Sequence, residues 1–334
     1  MEIKDENILT KSLRPSGLTG ENYALPNPDK ILQTAGGLSA YRDLKNDPHV
    51  WSCIQSRKSG LLSLHYEIIG EELAAEIGEI IDKIDIYEVM RSILEAPLFG
   101  WQPLEVIWEY REMNGESRLC PSRVIARPHE WFTFRGDGTL LVRSSDGKYR
   151  GINPCKVLCP RFEATADNPY GHSLLAKCYW AVMFKSSAMQ NWTKFCEKYG
   201  MPILVGQYTR GATGDEAQRL ADALAAMNED SVIVTPDDIN ITLHEAARGS
   251  SSELYRDLIK YCNAEISKAI LSQTLTTELD MGSYAATETH FKIRREVILS
   301  DMQLVESTVN ALLSEYARVN FGDCTVAKFR LQMN

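Results

Sequence analysis

Ile270-Leu-Ser-Gln-Thr-Leu-Thr-Thr277, followed closely by Gly282-Ser-Tyr-Ala-Ala286, is a polar, glycine-containing stretch set between two strongly helical runs. Upstream, Ser250 and Glu253 have the spacing of a capping box. Leu254, Leu258, Tyr261, Ile266, Ala269 and Ile270 then form an apolar stripe interrupted by Glu265. Downstream, Ile298, Met302, Val305, Val309, Leu312, Tyr316 and Val319 alternate steps of four and three, a heptad seam in a helix expected to end near Asn320. Three heptads are short for a free coiled coil, so the seam is expected to pack within its own chain. A polar loop braced by two long helices makes a poor pocket for chemistry and a good projecting loop.

Working back toward the N-terminus, a third long helix is expected after Asn168-Pro-Tyr-Gly171. It runs to Tyr199, where Gly200 supplies a left-handed stop and Pro202 forbids continuation. Its first half, through Leu174, Leu175, Cys178, Trp180, Ala181, Val182 and Phe184, is apolar nearly all round and must be covered on more than one side, by its own chain or by other copies. Between this helix and the one after Ser250 lies a short β-α-β-β insert. Its strands are Pro202-Ile-Leu-Val-Gly-Gln-Tyr208, Ser231-Val-Ile-Val-Thr235 and Ile239-Asn-Ile-Thr-Leu243, and its helix opens on a capping box from Thr213 to Glu216. An insert this small hardly buries a core alone.

The first half of the chain reads as α+β. Residues 1–40 are rich in Pro, Gly, Asn and Ser without a period, an extended arm. Asp47 caps a helix with Pro48 at its first position, carrying Val50, Ile54, Lys58 and Leu61 on one stripe. Strands are expected at His65-Tyr-Glu-Ile-Ile69, Pro103 to Tyr110, Arg123 to Ala126, Trp131 to Phe134, Thr139 to Arg143 and Lys156 to Cys159, with a helix at Ile84 to Leu94. Gly136-Asp-Gly138 and Asp146-Gly147 supply hairpin turns.

Composition excludes several classes. The 334 residues carry 44% apolar and 24% charged side chains, an ordinary globular balance with room for two or three packed modules. No run approaches the roughly 18 apolar residues of a membrane span, and Met1-Glu-Ile-Lys-Asp-Glu-Asn7 lacks a secretory pattern, so a cytoplasmic chain with reduced cysteines is expected. Cys53, Cys178, Cys196 and Cys262 have apolar helical surroundings and should be buried thiols. A net charge of −9 argues against tight coating of nucleic acid. It is compatible with a conduit, because an acidic wall repels a duplex from every side and lets it slide.

Motifs for chemistry are weak. The one Gly-Lys, at Gly147-Lys148, has Val142 where a phosphate-binding loop needs its first glycine. His244-Glu-Ala-Ala-Arg248 has Arg where a zinc protease needs its second His. Cys155 and Cys159, with His172 and Cys178 downstream, are the least poor zinc set, and buried thiols are the better reading. Gly171-His-Ser-Leu lacks the glycine of a nucleophile elbow and reads as the polar start of a helix. The carboxylate pairs Glu71-Glu72 and Asp237-Asp238 sit in polar segments. Trp180, Phe184, Trp192 and Phe195, with Tyr199, recur at helical spacing and are expected to pack the long helix rather than stack on bases, while Lys185, Lys194 and Lys198 are expected to line a solvated face. No catalytic, metal or cofactor site is expected.

Four phrases, Asp47-Pro-His-Val-Trp51, Phe99-Gly-Trp-Gln-Pro-Leu-Glu-Val-Ile-Trp108, Lys198-Tyr-Gly-Met-Pro202 and Gln273-Thr-Leu-Thr-Thr277, together with the order of elements, resemble the portal proteins of Mu-like tailed bacteriophages over residues 40–320. The resemblance implies an α+β protomer with an N-terminal arm (1–40), an α+β wing (41–170), a first stem helix (171–200), a small clip (201–249), a second stem helix (250–272), a tunnel loop (273–286), and a long wing helix with a terminal strand (287–334). Portals of this kind usually continue into a helical crown, which is not expected within these residues. Tunnel-loop residues facing the DNA would be Gln273, Thr274, Leu275, Thr276, Thr277, Glu278, Gly282, Ser283 and Tyr284. Asp215, Glu216, Arg219, Glu229 and Asp230 would form the clip's partner surface. The implied partners are other copies of the chain in a dodecameric ring, double-stranded DNA, the terminase large subunit, the major capsid or scaffolding protein, and a head-completion adaptor. The implied locations are the host cytoplasm during assembly and then the virion's capsid vertex. The alternatives are a helical adaptor or head-tail connector that forms no ring, and a zinc-containing enzyme.

Overall fold

The structure is a computed structural model and describes residues 24–199, 204–209, 211, 213–225, 232–237, 248–274, 284–322 and 324–333. The chain divides into two compact units, the first from residues 1–179 and 266–334, the second from residues 180–265.

Unit 1 is mixed α and β. Residues 24–44, part of which were expected in an extended arm, hold β1 (Ala24–Leu25), α1 (Lys30–Thr34) and α2 (Leu38–Leu44). The difference is local: Asp29 caps α1 by accepting from the Ile31 N–H, a signal hidden among the prolines before it. The expected cap at Asp47 is present, its carboxylate accepting from the His49 and Val50 amides at the head of α3 (Pro48–Leu62). After β2 (His65–Ile69) comes α4 (Ala74–Lys83), then α5 (Ile86–Ile93) and α6 (Ala96–Phe99).

Three antiparallel sheets follow. The hairpin β3 (Leu104–Met113) and β4 (Glu116–Ala126) is joined by β8 (Val157–Leu158) in the order β4-β3-β8. Strand β4 begins earlier than Arg123, and its register slips between Ile107 and Trp108, where Pro121 stands opposite and removes a ladder donor. The second sheet has the order β1-β5-β6-β7, with β5 (Phe132–Arg135), β6 (Leu140–Arg143) and β7 (Tyr149–Gly151).

The third sheet pairs β2 with β11 (Lys328–Gln332), strands far apart in sequence. The other edge of β11 is covered by α10 (Tyr284–Phe321). Asn310 brackets Phe329, its amide donating to the Phe329 carbonyl at 3.0 Å while its oxygen accepts the Phe329 N–H at 2.8 Å. One turn earlier, Glu306 accepts the Leu331 N–H at 2.8 Å and pairs with Arg330 at 2.9 Å.

The heptad residues of α10 pack within the chain as expected. Met302, Val305, Val309 and Leu312 join Leu61, Ile77, Ile81, Met90, Ile93, Leu104 and Phe329 in the main core. Tyr316 is buried with Ile80, Met113 and Cys120, and its hydroxyl donates to Glu76, which also accepts from Asn114 at the β3–β4 turn. Val319, the last seam position, lies outside on an exposed surface.

A separate aromatic cluster holds Trp101, Phe132, Phe134 and Tyr170, with Trp101, Phe134 and Tyr170 meeting edge to face. It is closed by two glycines at positive φ, Gly100 and Gly171, where the backbones touch. A Cβ on Gly100 would stand 2.5 Å from the Tyr170 carbonyl oxygen, so no larger residue fits. This contact launches α7 (Leu174–Tyr199): Ser173 donates to the Leu98 carbonyl and caps the helix by accepting the Ala176 N–H.

Unit 2 contains the greater part of α7 and of α9 (Arg248–Leu271), with β9 (Leu204–Tyr208), α8 (Gly214–Ala225) and β10 (Val232–Pro236) between them. β9 and β10 are parallel, and α8 connects them. Gly206 lets Leu220 and Leu224 of α8 approach the strand. The Glu216 carboxylate accepts the Thr213 N–H at 3.0 Å, one arm of the expected capping box. Helix α9 starts two residues before Ser250, so the box proposed there falls inside the helix. The third strand expected at Ile239–Leu243 lies outside the described residues.

Candidate functional site

Among the described residues no three His, Cys, Asp or Glu side chains group as metal ligands. Burial pushes the Cys159 and Cys178 thiols up to about 12, so both stay protonated and unreactive at neutral pH. Cys53 and Cys262 are buried as expected, whereas Cys196 is exposed because it lies on an outward face of α7.

Two grooves of about 700 and 690 Å³ meet at Lys45 and Glu95. Burial raises the Glu95 carboxyl, but the ammonium groups of Lys58 and Lys45, each 2.5 Å away, outweigh it and hold the group below its ordinary value. Arg42 pairs with Glu130 and Arg127 with Glu105 at the first groove. These charges neutralise one another and present no converging acid and base.

The residues with the most specific geometry lie at the root of the segment between α9 and α10. Helix α9 ends with Ile270 and Leu271 buried, and Ser272 turns the chain at φ 57°, its N–H bonded to the Lys268 carbonyl. Gln273 follows at 4% exposure, which corrects its placement in a projecting loop: this side chain is interior. Thr274 is half-buried.

Facing this turn, α3 presents a ladder at every fourth residue, His49, Cys53 and Arg57. His49 Nε2 lies 2.7 Å from Ser267 Oγ, and Cys53 Sγ lies 3.7 Å from the same hydroxyl. Arg57 is 8% exposed and spends three donors. Nε and Nη2 donate to the two oxygens of Asp301 on α10 at 2.8 and 2.9 Å, and Nη1 donates to the Ile270 carbonyl at 2.7 Å. The Phe162 ring covers the guanidinium at 5.7 Å. None of the ladder was anticipated as a site. The signal was a basic pair, Arg57-Lys58, set on the apolar stripe of α3, and a lone Asp301 beside the seam of α10.

Of the other expected loop residues, Leu275, Thr276, Thr277, Glu278, Gly282 and Ser283 lie outside the described residues, and Tyr284 opens α10 instead of closing the loop. Asp215, Glu216 and Arg219 stand exposed on α8, while Glu229 and Asp230 lie outside the described residues. On α7, Trp180 and Phe184 stack at 5.8 Å yet are 59% and 56% exposed, and Trp192 is half-buried. Phe195 meets Tyr255 of α9 at 6.1 Å. Leu254 and Tyr261 extend the exposed apolar surface along α9, at 69% and 63%. Lys185, expected on a solvated face, is buried. It lies on the side of α7 toward Cys262 of α9, whose thiol burial raises and the Lys185 charge lowers.

Comparison with known proteins agrees with this architecture. The family profile described as the portal protein of Mu bacteriophage matches residues 38–334. The chain is 26% identical over 292 residues to the portal protein of Escherichia phage Mu, covering 82% of this chain and 56% of that protein. It is 26% identical over 316 residues to the Mu-like prophage FluMu protein gp29 of Haemophilus influenzae, covering 88% of this chain and 59% of that protein. The chain therefore spans a little over half the length of these curated relatives.

Among solved structures, a chain of the virion of a native gene transfer agent particle superposes with TM-score 0.59 at 12% identity, covering 88% of this chain and 83% of its own. A chain from the neck of an empty gene transfer agent particle gives 0.57, also at 12% identity, covering 91% and 89%. At that identity the likeness speaks for the fold alone. With the profile match running from α2 through β11, this chain belongs to the family of Mu-like bacteriophage portal proteins.

Proposed function

We propose that copies of this chain close into a ring, a dodecamer by family expectation, which sits at one capsid vertex and serves as the conduit for double-stranded DNA during packaging and ejection. The observation that carries the reading is the uncovered apolar surface of unit 2. Trp180, Phe184, Leu254 and Tyr261 are each more than half exposed in the single chain, on two long helices. Apolar surface of this kind on a structural element marks a contact with another protein, and in a ring the next copy supplies it through a heterologous contact. The net charge of −9 suits a channel that must not grip phosphates.

On this reading α7 and α9 are the stem, β9-α8-β10 the clip, and the segment after Gln273 and before α10 the tunnel loop. The exposed Asp215, Glu216 and Arg219 at the head of α8, together with Glu229 and Asp230, form the surface that docks the terminase large subunit and later a head-completion protein. The wing meets the major capsid or scaffolding protein. The work is mechanical, so no catalytic residue is assigned. The ring exists in the host cytoplasm during assembly and afterwards in the virion; among the described residues no helix is long and apolar enough to cross a membrane.

The test is the mass of the purified protein across concentration and salt, by mass photometry, with electron microscopy of large species. Rings with an open axial hole are expected, and Trp180→Ser with Phe184→Ser should shift the population to small species without changing the circular dichroism spectrum. A protein that stays small at every concentration, indifferent to those substitutions, would overturn the reading.

A further inference from the structure

Arg57 joins three elements at the point from which the segment between α9 and α10 departs. A salt bridge that only stabilised the wing would need Asp301 alone. The third bond, to the Ile270 carbonyl, has a separate consequence. Ile270 is in the last turn of α9, where carbonyls have no partner within the helix. Were α9 to wind one residue further on each side of Ser272, that carbonyl would accept the Thr274 N–H. With Arg57 donating to it, and with Ser272 already in the left-handed region, continued winding loses its advantage and α9 stops where it does.

The same guanidinium holds α10 through both oxygens of Asp301, 17 residues after the first residue of that helix. His49 on Ser267, one helical turn before Ile270, holds the preceding turn of α9 against α3.

We propose that Arg57 is a positioning residue for the root of the segment between α9 and α10: one buried guanidinium fixes where α9 ends and ties that end to the body of α10, so that α3 sets the point from which the segment departs. The inference rests on the reading of the segment after Gln273 and before α10 as the tunnel loop. A lysine cannot replace the arginine, because a single ammonium lacks the planar fork that meets a carboxylate with two donors while a third points at a carbonyl.

Hydrogen exchange of the purified full chain, read over residues 266–274 and the head of α10, tests it in wild type, in Arg57→Lys, and in the double variant Arg57→Leu with Asp301→Leu. The double variant removes the pair without leaving a lone buried charge, so it retains the fold. Both variants are expected to speed exchange at the end of α9 by tenfold or more while the core strands keep wild-type protection. Unchanged exchange there in both variants would overturn the proposal. DNA retention in assembled particles separates this inference from the reading it rests on. Faster exchange with leaking DNA supports both, whereas faster exchange with normal packaging and retention supports the anchor and removes the tunnel-loop role of the segment.

Discussion

Removing Arg57 alone strands the Asp301 carboxylate, 1% exposed, without its counter-charge. Arg57→Ala should therefore cost about 3–5 kcal/mol of stability, measurable by denaturant unfolding, and considerably more than the paired leucine variant. Ser272 is a milder case: it holds φ 57° with a Cβ, and Ser272→Gly should raise stability by up to about 1 kcal/mol. His129 adds a pH dependence. Burial is the main cause that lowers its imidazole below the ordinary 6.5, although Nε2 donates to the Trp101 carbonyl at 2.8 Å and that bond pulls the other way. The unfolded chain thus binds a proton at a pH where the folded one does not. Stability is full above about 6.5 and declines as the pH falls from there toward the folded value. Thermal midpoints should drop between about pH 7.5 and about pH 5.5. His129→Gln, whose amide still donates to Trp101, should flatten that drop; an equal drop in the variant would assign it to other groups.

At the scale of elements, what was readable in the sequence followed from local signals. Asp47-Pro48, the Thr213–Glu216 spacing and the period of α10 each encode a helix boundary or face in neighbouring residues, and those helices are present, while the stop expected at Gly200 lies outside the described residues. Helix α4 was missed because it starts after Leu73 in a left-handed conformation with no capping side chain, although Ile77, Ile80 and Ile81 lie on one face. Three-residue β7 and the early half of β4 depend on their partners and carry no signature of their own. The burial of Cys53 was legible locally, but the partners of His49 and Arg57 on the same face come from α9 and α10, more than 200 residues away in sequence. Strand β11 depends on its docking: Phe329 is fully buried and stacks on Tyr66 at 5.3 Å. Phe329→Ala should cost about 3–5 kcal/mol and expose β2 to proteolysis. A loss below about 1 kcal/mol would mean that the bonds from Asn310 and Glu306 hold the strand without its side chain.

At the scale of the whole molecule, the two units are built by different rules. Unit 2 is one continuous stretch, whereas unit 1 is assembled from two pieces with unit 2 inserted between them. Its β2–β11 ladder joins residues about 260 positions apart, a closure whose entropy must be met before the contacts repay it. The direction of protein synthesis then matters. As the chain leaves the ribosome, residues 180–265 emerge complete while β2 still waits for a strand that is made after them. The exposed apolar side chains of unit 2 are thus in solution before unit 1 can close. A nascent chain stalled near residue 300 should show a protease-resistant unit 2 beside a digestible unit 1, and extension far enough for β11 to emerge should protect unit 1 in a single step. The docking of β11 is consequently the event that divides an open unit 1 from a closed one, and it falls after unit 2 has left the ribosome.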